Sequence, residues 1–158
     1  MNIVKYFKLL VSLILPIGLG SIAGIFTTKE IAGWYASLNK PTFNPPSYLF
    51  GPVWTVLYIL MGVSMFLIWN TPKTEQRQKA LAIFGIQLFL NFWWSILFFS
   101  FHTVLLSVTD ILILWFLIIY MISLFQKIKP VAAYLQIPYL FWVTFATVLN
   151  ISIWYLNR

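Results

Sequence analysis

The feature that most constrains this sequence is a series of five apolar runs, each about as long as a bilayer is thick. Only 8% of the residues are charged, whereas a soluble domain carries roughly 25%. The runs do not alternate residue by residue, as the strands of a membrane β-barrel do. We therefore predict an all-α integral membrane protein, a bundle of five transmembrane helices forming one domain over residues 1–158. The helices are predicted at 9–28, 53–69, 80–101, 104–125 and 131–155.

The first run has a second interpretation. Lys5 and Lys8 precede it, and Ser21-Ile22-Ala23 resembles a signal-peptide cleavage site. Within the same run, Gly20 and Gly24 are spaced for close approach of a neighbouring helix or for dimer packing. We predict a retained first helix whose glycine face allows a neighbour to come near.

The basic residues predict the orientation of the five helices. One side of the membrane would receive Lys5, Lys8, Lys73, Arg77, Lys79, Lys127 and Lys129, and the other Lys29, Lys40 and Arg158. Because positive loops stay in the cytoplasm, the N-terminus is predicted to be cytoplasmic and the C-terminus outside, in a bacterial-type cell membrane. The net charge of +7 thus reflects topology, and we expect no nucleic-acid partner.

A loop rich in proline and aromatic residues, predicted at 29–52, separates the first two helices. Four of the eight prolines lie here, at Pro41, Pro45, Pro46 and Pro52, and no helix can run through them. Loops of this length inside a compact domain usually have a function. Because the loop is also full of aromatic side chains, we predict a lid that packs over the bundle on its outer side.

Polar and aromatic side chains of several helices are predicted to meet at one depth beneath this lid. Three helical stripes carry them: Gln87, Asn91, Trp94, Ser95 and Phe98; Trp142, Phe145, Ala146, Leu149 and Asn150; and Trp54, Tyr58 and Met61. Ordinary helix packing is the alternative, although helices in lipid usually pack through small residues. Asp110 is the one carboxylate within a predicted span, and is either functional or a residue that favours the helix N-terminus.

The chemistry available to such a site is limited. The chain has no cysteine and one histidine, His102, so thiol catalysis is excluded and we expect no metal and no cofactor. The sequence around Leu149, Tyr155 and Arg158 fits a permissive sterol-contact pattern. A tyrosine and an arginine anchoring a helix end would give the same pattern.

Long motifs resemble the TspO/MBR family of tryptophan-rich sensory and translocator proteins. They cover nearly the whole chain in the family's order. The motifs are Trp34-Tyr35-x-x-Leu38-x-Lys40-Pro41-x-Phe43-x-Pro45-Pro46, Gly51-Pro52-Val53-Trp54-x-x-Leu57-Tyr58-x-x-Met61-Gly62, Gln87-x-x-x-Asn91-x-x-Trp94, Phe98-Phe99, and Pro138-Tyr139-x-x-Trp142-x-x-Phe145-Ala146-Thr147-x-Leu149-Asn150, with Asp110 opening helix four.

The resemblance implies a receptor or sensor for porphyrins such as protoporphyrin IX, with sterols and benzodiazepine-type drugs as further ligands and a homodimer as one assembly. A light-dependent porphyrin-degrading enzyme, with Trp54 and Trp142 as its reactive residues, and a small-molecule transporter are the alternatives. We expect a receptor rather than an enzyme. The expected ligand-binding residues are Trp34, Tyr35, Trp54, Tyr58, Gln87, Asn91, Trp94, Ser95, Phe98, Asp110, Trp142, Phe145, Ala146, Leu149 and Asn150, with Lys29 and Lys40 as further donors to porphyrin carboxylates.

Three departures from the family pattern affect these expectations. Ile151 or Ser152 stands where the family has a sterol-linked tyrosine, which weakens cholesterol binding through that motif. Helix three carries only Gly85 where some relatives have a glycine spacing for dimer packing, so the dimer geometry is open. Phe43 replaces a tryptophan that is common in the lid.

Overall fold

A computed structural model describes residues 2–158, and within that range the chain is helical and has no strand. Five helical segments are long and apolar enough to cross a membrane. The five-helix bundle predicted from the sequence is therefore confirmed. These segments are Ile3–Ile31, Ser47–Trp69, Glu75–Ser100, Val104–Ile128 and Pro130–Leu156.

Seven α-helices build these segments and the lid. They are α1 (Ile3–Ile31), α2 (Trp34–Ser37), α3 (Phe50–Trp69), α4 (Glu75–Ser95), α5 (Val104–Ile128), α6 (Pro130–Tyr134) and α7 (Ile137–Leu156). A 3-10 turn over Ser47–Leu49 leads into α3, and a π-helical turn over Ile96–Ser100 continues α4. A π turn inside a helix often marks a functional site.

Two helices begin earlier than their apolar runs suggest because polar residues cap them. The Asn2 side chain accepts a hydrogen bond from the backbone N–H of Lys5, so α1 begins at Ile3 rather than at Leu9. Thr74 caps α4 in the same way through the N–H of Arg77, and α4 begins at Glu75. A hydropathy pattern overlooks such turns because they lie outside the apolar stretch.

The lid is shorter than the predicted loop. Helix α1 continues to Ile31, and the turn before α3 begins at Ser47. Between them lie the single helical turn of α2 and an irregular stretch from Leu38 to Pro46. The prolines account for the irregular part, since each removes a backbone donor.

The fifth span is broken between α6 and α7, near Gln136 rather than at Pro138. Pro138 lies in the first turn of α7, a position that proline tolerates. The break is held inside the protein, where Ser64 donates a hydrogen bond to the carbonyl of Ala132 at 2.7 Å. Irregular backbone at membrane depth is tolerated where protein buries it.

Helices α1 and α3 pack closely at the end of the bundle opposite the lid. A Cβ atom added to Gly62 would lie 2.7 Å from the backbone carbonyl oxygen of Ser12. Around this contact the interior is filled by fully buried side chains such as Met61, Phe84 and Phe125. Because Gly62 has no side chain, the two helix backbones can approach each other at this point.

Candidate ligand-binding cavity

A cavity of about 520 Å³ lies in the lid half of the bundle, within the size range of small-molecule sites. Helices α1, α3, α4 and α7 line it, together with the π turn and the lid. Its wall is largely apolar and aromatic. The expected residues that line it are Tyr35, Trp54, Tyr58, Trp94, Ser95, Phe98, Trp142, Phe145, Ala146, Leu149 and Asn150.

The aromatic rings of this wall contact one another and form a continuous surface. Trp54 stacks on Tyr58 with their ring centroids 5.5 Å apart, and lies 6.3 Å from Trp94. Trp94 in turn stacks on Phe98 at 6.0 Å. On the facing helix, Trp142 lies 5.6 Å from Phe145. Such a surface presents ring faces to which a flat apolar molecule can stack.

A buried hydrogen-bond network lies beneath the cavity floor. The Tyr58 hydroxyl donates to Asn91 Oδ1 at 2.8 Å, and Asn91 Nδ2 donates to the Tyr139 hydroxyl at 3.0 Å. Tyr139 donates to Gln87 Oε1 at 2.8 Å. Gln87 and Asn91 do not line the cavity. Through this network they hold the Tyr58 ring in place, and the Tyr58 ring lines the cavity.

The Trp94 indole orients Asn150. Asn150 Oδ1 accepts from Trp94 Nε1 at 2.9 Å and lies 3.1 Å from the Ser107 hydroxyl, which is closer to the Val104 carbonyl oxygen at 2.7 Å. The Asn150 amide nitrogen has no protein partner, although the residue is only 2% exposed. Trp142 Nε1 is also buried and unpartnered. Trp142 and Asn150 line the cavity with other atoms, and these two unpartnered nitrogen atoms are buried behind its surface.

Hydrogen bonds within the lid and to the end of α7 hold the lid in place. Lys40 Nζ donates to the carbonyl oxygens of Tyr35 at 2.7 Å and of Leu38 at 3.0 Å. The backbone N–H of Asn39 donates to Asn157 Oδ1 at 2.9 Å, and Asn157 Nδ2 donates back to the Asn39 carbonyl at 2.8 Å. Lys40 is thus occupied inside the lid.

Tyr35 anchors the underside of the lid. It is 3% exposed and belongs to an apolar cluster with Phe98, Phe99 and Leu149. Its hydroxyl donates to Asn44 Oδ1 at 2.7 Å. Burial raises the pKa of this hydroxyl above its ordinary value.

Four expected residues lie outside the cavity wall. Gln87 and Asn91 belong to the network under the floor. Trp34 stacks on His102 at 4.1 Å, and His102 Nε2 lies 3.1 Å from Glu30 Oε2. Asp110 is buried in α5 with its Oδ2 unpartnered.

The face of α1 is the part of the site that sequence analysis missed. This helix contributes a large share of the cavity wall, through Ile17, Gly20, Ser21, Ala23, Gly24, Thr27, Thr28 and Ile31. Most of these side chains are small, and none carries a recognisable binding chemistry. The spacing of Gly20 and Gly24 was the available signal, because glycines mark a place where something comes close.

Comparisons with known proteins agree with this architecture. The model of the TspO/MBR family matches residues 12–156. The chain belongs to the TspO/MBR family.

Three relatives illustrate the breadth of the TspO/MBR match. The tryptophan-rich protein TspO of Archaeoglobus fulgidus is 40% identical over 99% of each chain. The tryptophan-rich protein TspO of Chlorobaculum tepidum is 39% identical over 95% of this chain and 98% of its own. The human translocator protein is 34% identical over 82% of this chain and 78% of its own. The protein is therefore a multi-pass membrane protein of the TspO/MBR family.

Proposed function

We propose that the cavity binds a tetrapyrrole such as protoporphyrin IX, and that the protein acts as a porphyrin sensor or scavenger. The observation that carries the proposal is an aromatic-walled cavity of about 520 Å³. Stacking of a flat ring system on aromatic side chains contributes about 1–3 kcal/mol per ring, by analogy with nucleic-acid bases. Sterols and benzodiazepine-type drugs are further candidates of the same flat, apolar class.

Two unpartnered donors behind the cavity surface favour a ligand that carries polar groups. Trp142 and Asn150 lie eight residues apart on α7, which places them about 12 Å apart along the helix axis. A buried donor without a partner costs about 1–3 kcal/mol, so a ligand acceptor that reaches it is favoured. A porphyrin satisfies this pattern with polar groups on an otherwise flat apolar body.

The test is a titration of purified protein with protoporphyrin IX in darkness, followed by quenching of tryptophan fluorescence. We expect saturable binding with one site per chain. Asn150→Leu should weaken binding by about tenfold, because it keeps the volume but removes both a donor and the acceptor that orients the Trp94 indole. Asn70→Leu, at an exposed residue after the end of α3 and outside the cavity wall, is the matched control. Equal affinities of wild type and Asn150→Leu would contradict the role of that donor.

A second candidate function is light-dependent porphyrin degradation. Trp54 and Trp142, the two expected reactive indoles, both line the cavity. An indole that contacts a photoexcited porphyrin could serve as an electron donor. A small-molecule transporter, the third alternative, gains no comparable support from the cavity.

Trp142→Phe separates binding from degradation. We expect porphyrin affinity to be largely retained, since phenylalanine keeps a stacking face, and bleaching under lamp light to slow. Trp142→Ala should lose both, provided that melting in detergent shows it folded. Bleaching of porphyrin by Trp142→Phe at the wild-type rate would exclude this indole as the donor.

The orientation in the membrane is part of the proposal. The basic residues favour a cytoplasmic N-terminus, with the lid and the C-terminus outside. A cysteine introduced at Asn2 should resist a membrane-impermeant maleimide in intact cells, whereas one at Arg158 should react. A homodimer also stays a prediction, and crosslinking in membranes would test it.

A further inference from the structure

The end of the bundle opposite the lid is strongly basic. Seven of the ten lysine and arginine residues lie there, in the first two turns of α1 and α4, in the loop before α4, and around the junction of α5 with α6. Of the three acidic residues, Glu75 alone is at this end, since Glu30 is near the far end of α1 and Asp110 lies within α5. The positive charge here exceeds what the carboxylates of the chain can balance.

Two of these cations converge on one backbone oxygen. Lys8 Nζ donates to the carbonyl of Trp69 at 3.3 Å, and Arg77 Nη1 donates to the same oxygen at 3.2 Å. The two nitrogens are therefore no more than about 6.5 Å apart, because both are bonded to a single atom. Hydrogen bonds from such cations to phosphate oxygens are about 2.7–2.9 Å long, so one phosphate group can reach both of them.

Capping of α3 accounts for part of this arrangement. Trp69 is the last residue of α3, and a cation at a helix C-terminus satisfies its last carbonyls. One cation is enough for that purpose, and a second at the same oxygen adds repulsion between like charges. In residues 2–158 the one ion pair joins His102 to Glu30 at the lid end, and Glu75 is exposed without pairing to either cation. An anion from outside the chain would offset the repulsion.

The pair of cations lies at the level where lipid headgroups surround the bundle. Trp69 ends the membrane-crossing segment Ser47–Trp69, and tryptophan is enriched at the membrane–water interface. Lys8 Nζ lies over the Trp69 ring, 5.9 Å from its centroid. Lys8 and Arg77 are both partly buried, so salt screens their charges less than it screens fully exposed ones.

The surroundings of Lys8 distinguish a lipid from a free phosphate. Phe7 and Leu10, its neighbours on α1, are 61% and 57% exposed. Exposed apolar side chains beside a cation suit a ligand that has acyl chains as well as a charged headgroup. Basic pockets between transmembrane helices bind anionic headgroups in this way.

We propose that Lys8 and Arg77, at the end of α3, form a binding site for the phosphate of an anionic phospholipid such as phosphatidylglycerol. The Lys8 ammonium and the Arg77 guanidinium hold the phosphate from α1 and α4. The site lies at the opposite end of the bundle from the cavity, and it does not depend on the proposed porphyrin binding.

The test is native mass spectrometry of the purified protein, titrated with phosphatidylglycerol and, separately, with zwitterionic phosphatidylcholine. We expect one phosphatidylglycerol per chain to bind about tenfold more tightly than phosphatidylcholine. Lys8→Gln with Arg77→Gln should abolish this preference. Lys127→Gln with Lys129→Gln is the matched control, because it removes the same charge from the same end at exposed residues, and it should change the preference by less than about twofold.

Lys8→Gln alone keeps the test decisive if the double variant at Lys8 and Arg77 does not fold, because Arg77 still caps α3. It should lower the lipid preference by about threefold. Unchanged preference in Lys8→Gln, with a lower melting temperature in detergent, would reduce the role of Lys8 to capping and overturn the site.

Three further results would overturn the proposal. Equal losses of preference in the two double variants would show that net charge alone matters. A wild type that binds both lipids alike would show no site for an anionic headgroup. Displacement of phosphatidylglycerol by inorganic phosphate in large excess would show a site for free phosphate rather than for a lipid, whereas we expect the lipid to stay bound.

Discussion

The two ends of the bundle contain similar apolar side chains in different packing states. Opposite the lid, Phe84, Phe125 and Ile118 are at most 1% exposed and fill the interior. At the lid end, Trp142 and Phe145 are only partly buried and border a cavity. The first end resembles the interior of a soluble protein in its close packing, whereas the second leaves room for a ligand.

The difference shows where the stability of the bundle comes from. Lipid tails are as apolar as leucine, so helices in a membrane associate through packing and hydrogen bonds rather than through burial from water. The filled end has both, including Ser64 bonded to α6. The lid end can therefore keep large rigid rings around a cavity without loosening the bundle.

Phe→Ala substitutions at the two ends should give the largest difference in the free energy of unfolding. Phe84→Ala is expected to destabilise the protein by about 3 kcal/mol, at the low end of values in soluble cores, because it leaves a void among filled neighbours. Phe145→Ala should cost about 1 kcal/mol, since the ring is only partly buried and borders an existing cavity. Thermal or denaturant unfolding in detergent measures both. Similar losses at the two sites would show that the ends are packed alike.

The network under the floor should give an intermediate effect. Tyr139→Phe leaves the acceptor on Gln87 and the donor on Asn91 without partners, and is expected to cost about 2–3 kcal/mol. Tyr58→Phe leaves only Asn91 Oδ1 unpartnered and should cost about half as much. The same unfolding assay applies. A larger loss of stability for Tyr58→Phe would show that the Tyr58–Asn91 hydrogen bond contributes more than the two bonds of Tyr139.

Alkaline pH should loosen the lid end through Tyr35. Because its pKa is raised in the folded protein, the neutral hydroxyl contributes stability that is complete below about pH 10 and is lost as the pH rises through the folded value. The wild type should therefore lose more stability than Tyr35→Phe between about pH 9 and pH 11. Tyr48→Phe, at a lid tyrosine that is 76% exposed, should behave like the wild type.

Trp34→Phe should have the smallest effect on binding. Trp34 stacks on His102 outside the cavity wall, so we expect porphyrin affinity to stay within about twofold of the wild type. Phe98→Ala, which removes a ring from the wall itself, provides the contrast. Equal weakening by the two substitutions would mean that the lid tryptophan contacts the ligand.

The sequence by itself determined the features that depend on local pattern. Apolar runs of bilayer length specify five spans, because unsatisfied backbone groups exclude other structures in lipid. Prolines specify a non-helical lid. Helical periodicity placed Trp54, Trp94 and Trp142 on faces that the tertiary structure brings to one cavity.

The tertiary structure alone decided which neighbours each face meets. Gln87 and Asn91 share a helix face with Trp94, yet they lie about two turns and one turn further from the lid, beneath the cavity floor, where they bond to tyrosines of α3 and α7. Asp110 is buried on α5, a helix that contributes no residue to the wall. Sequence analysis missed the part of the wall formed by α1 for a related reason. Gly20 and Gly24 have no side chain that would indicate a role, and whether a glycine admits a close neighbour or borders a cavity depends on what lies opposite.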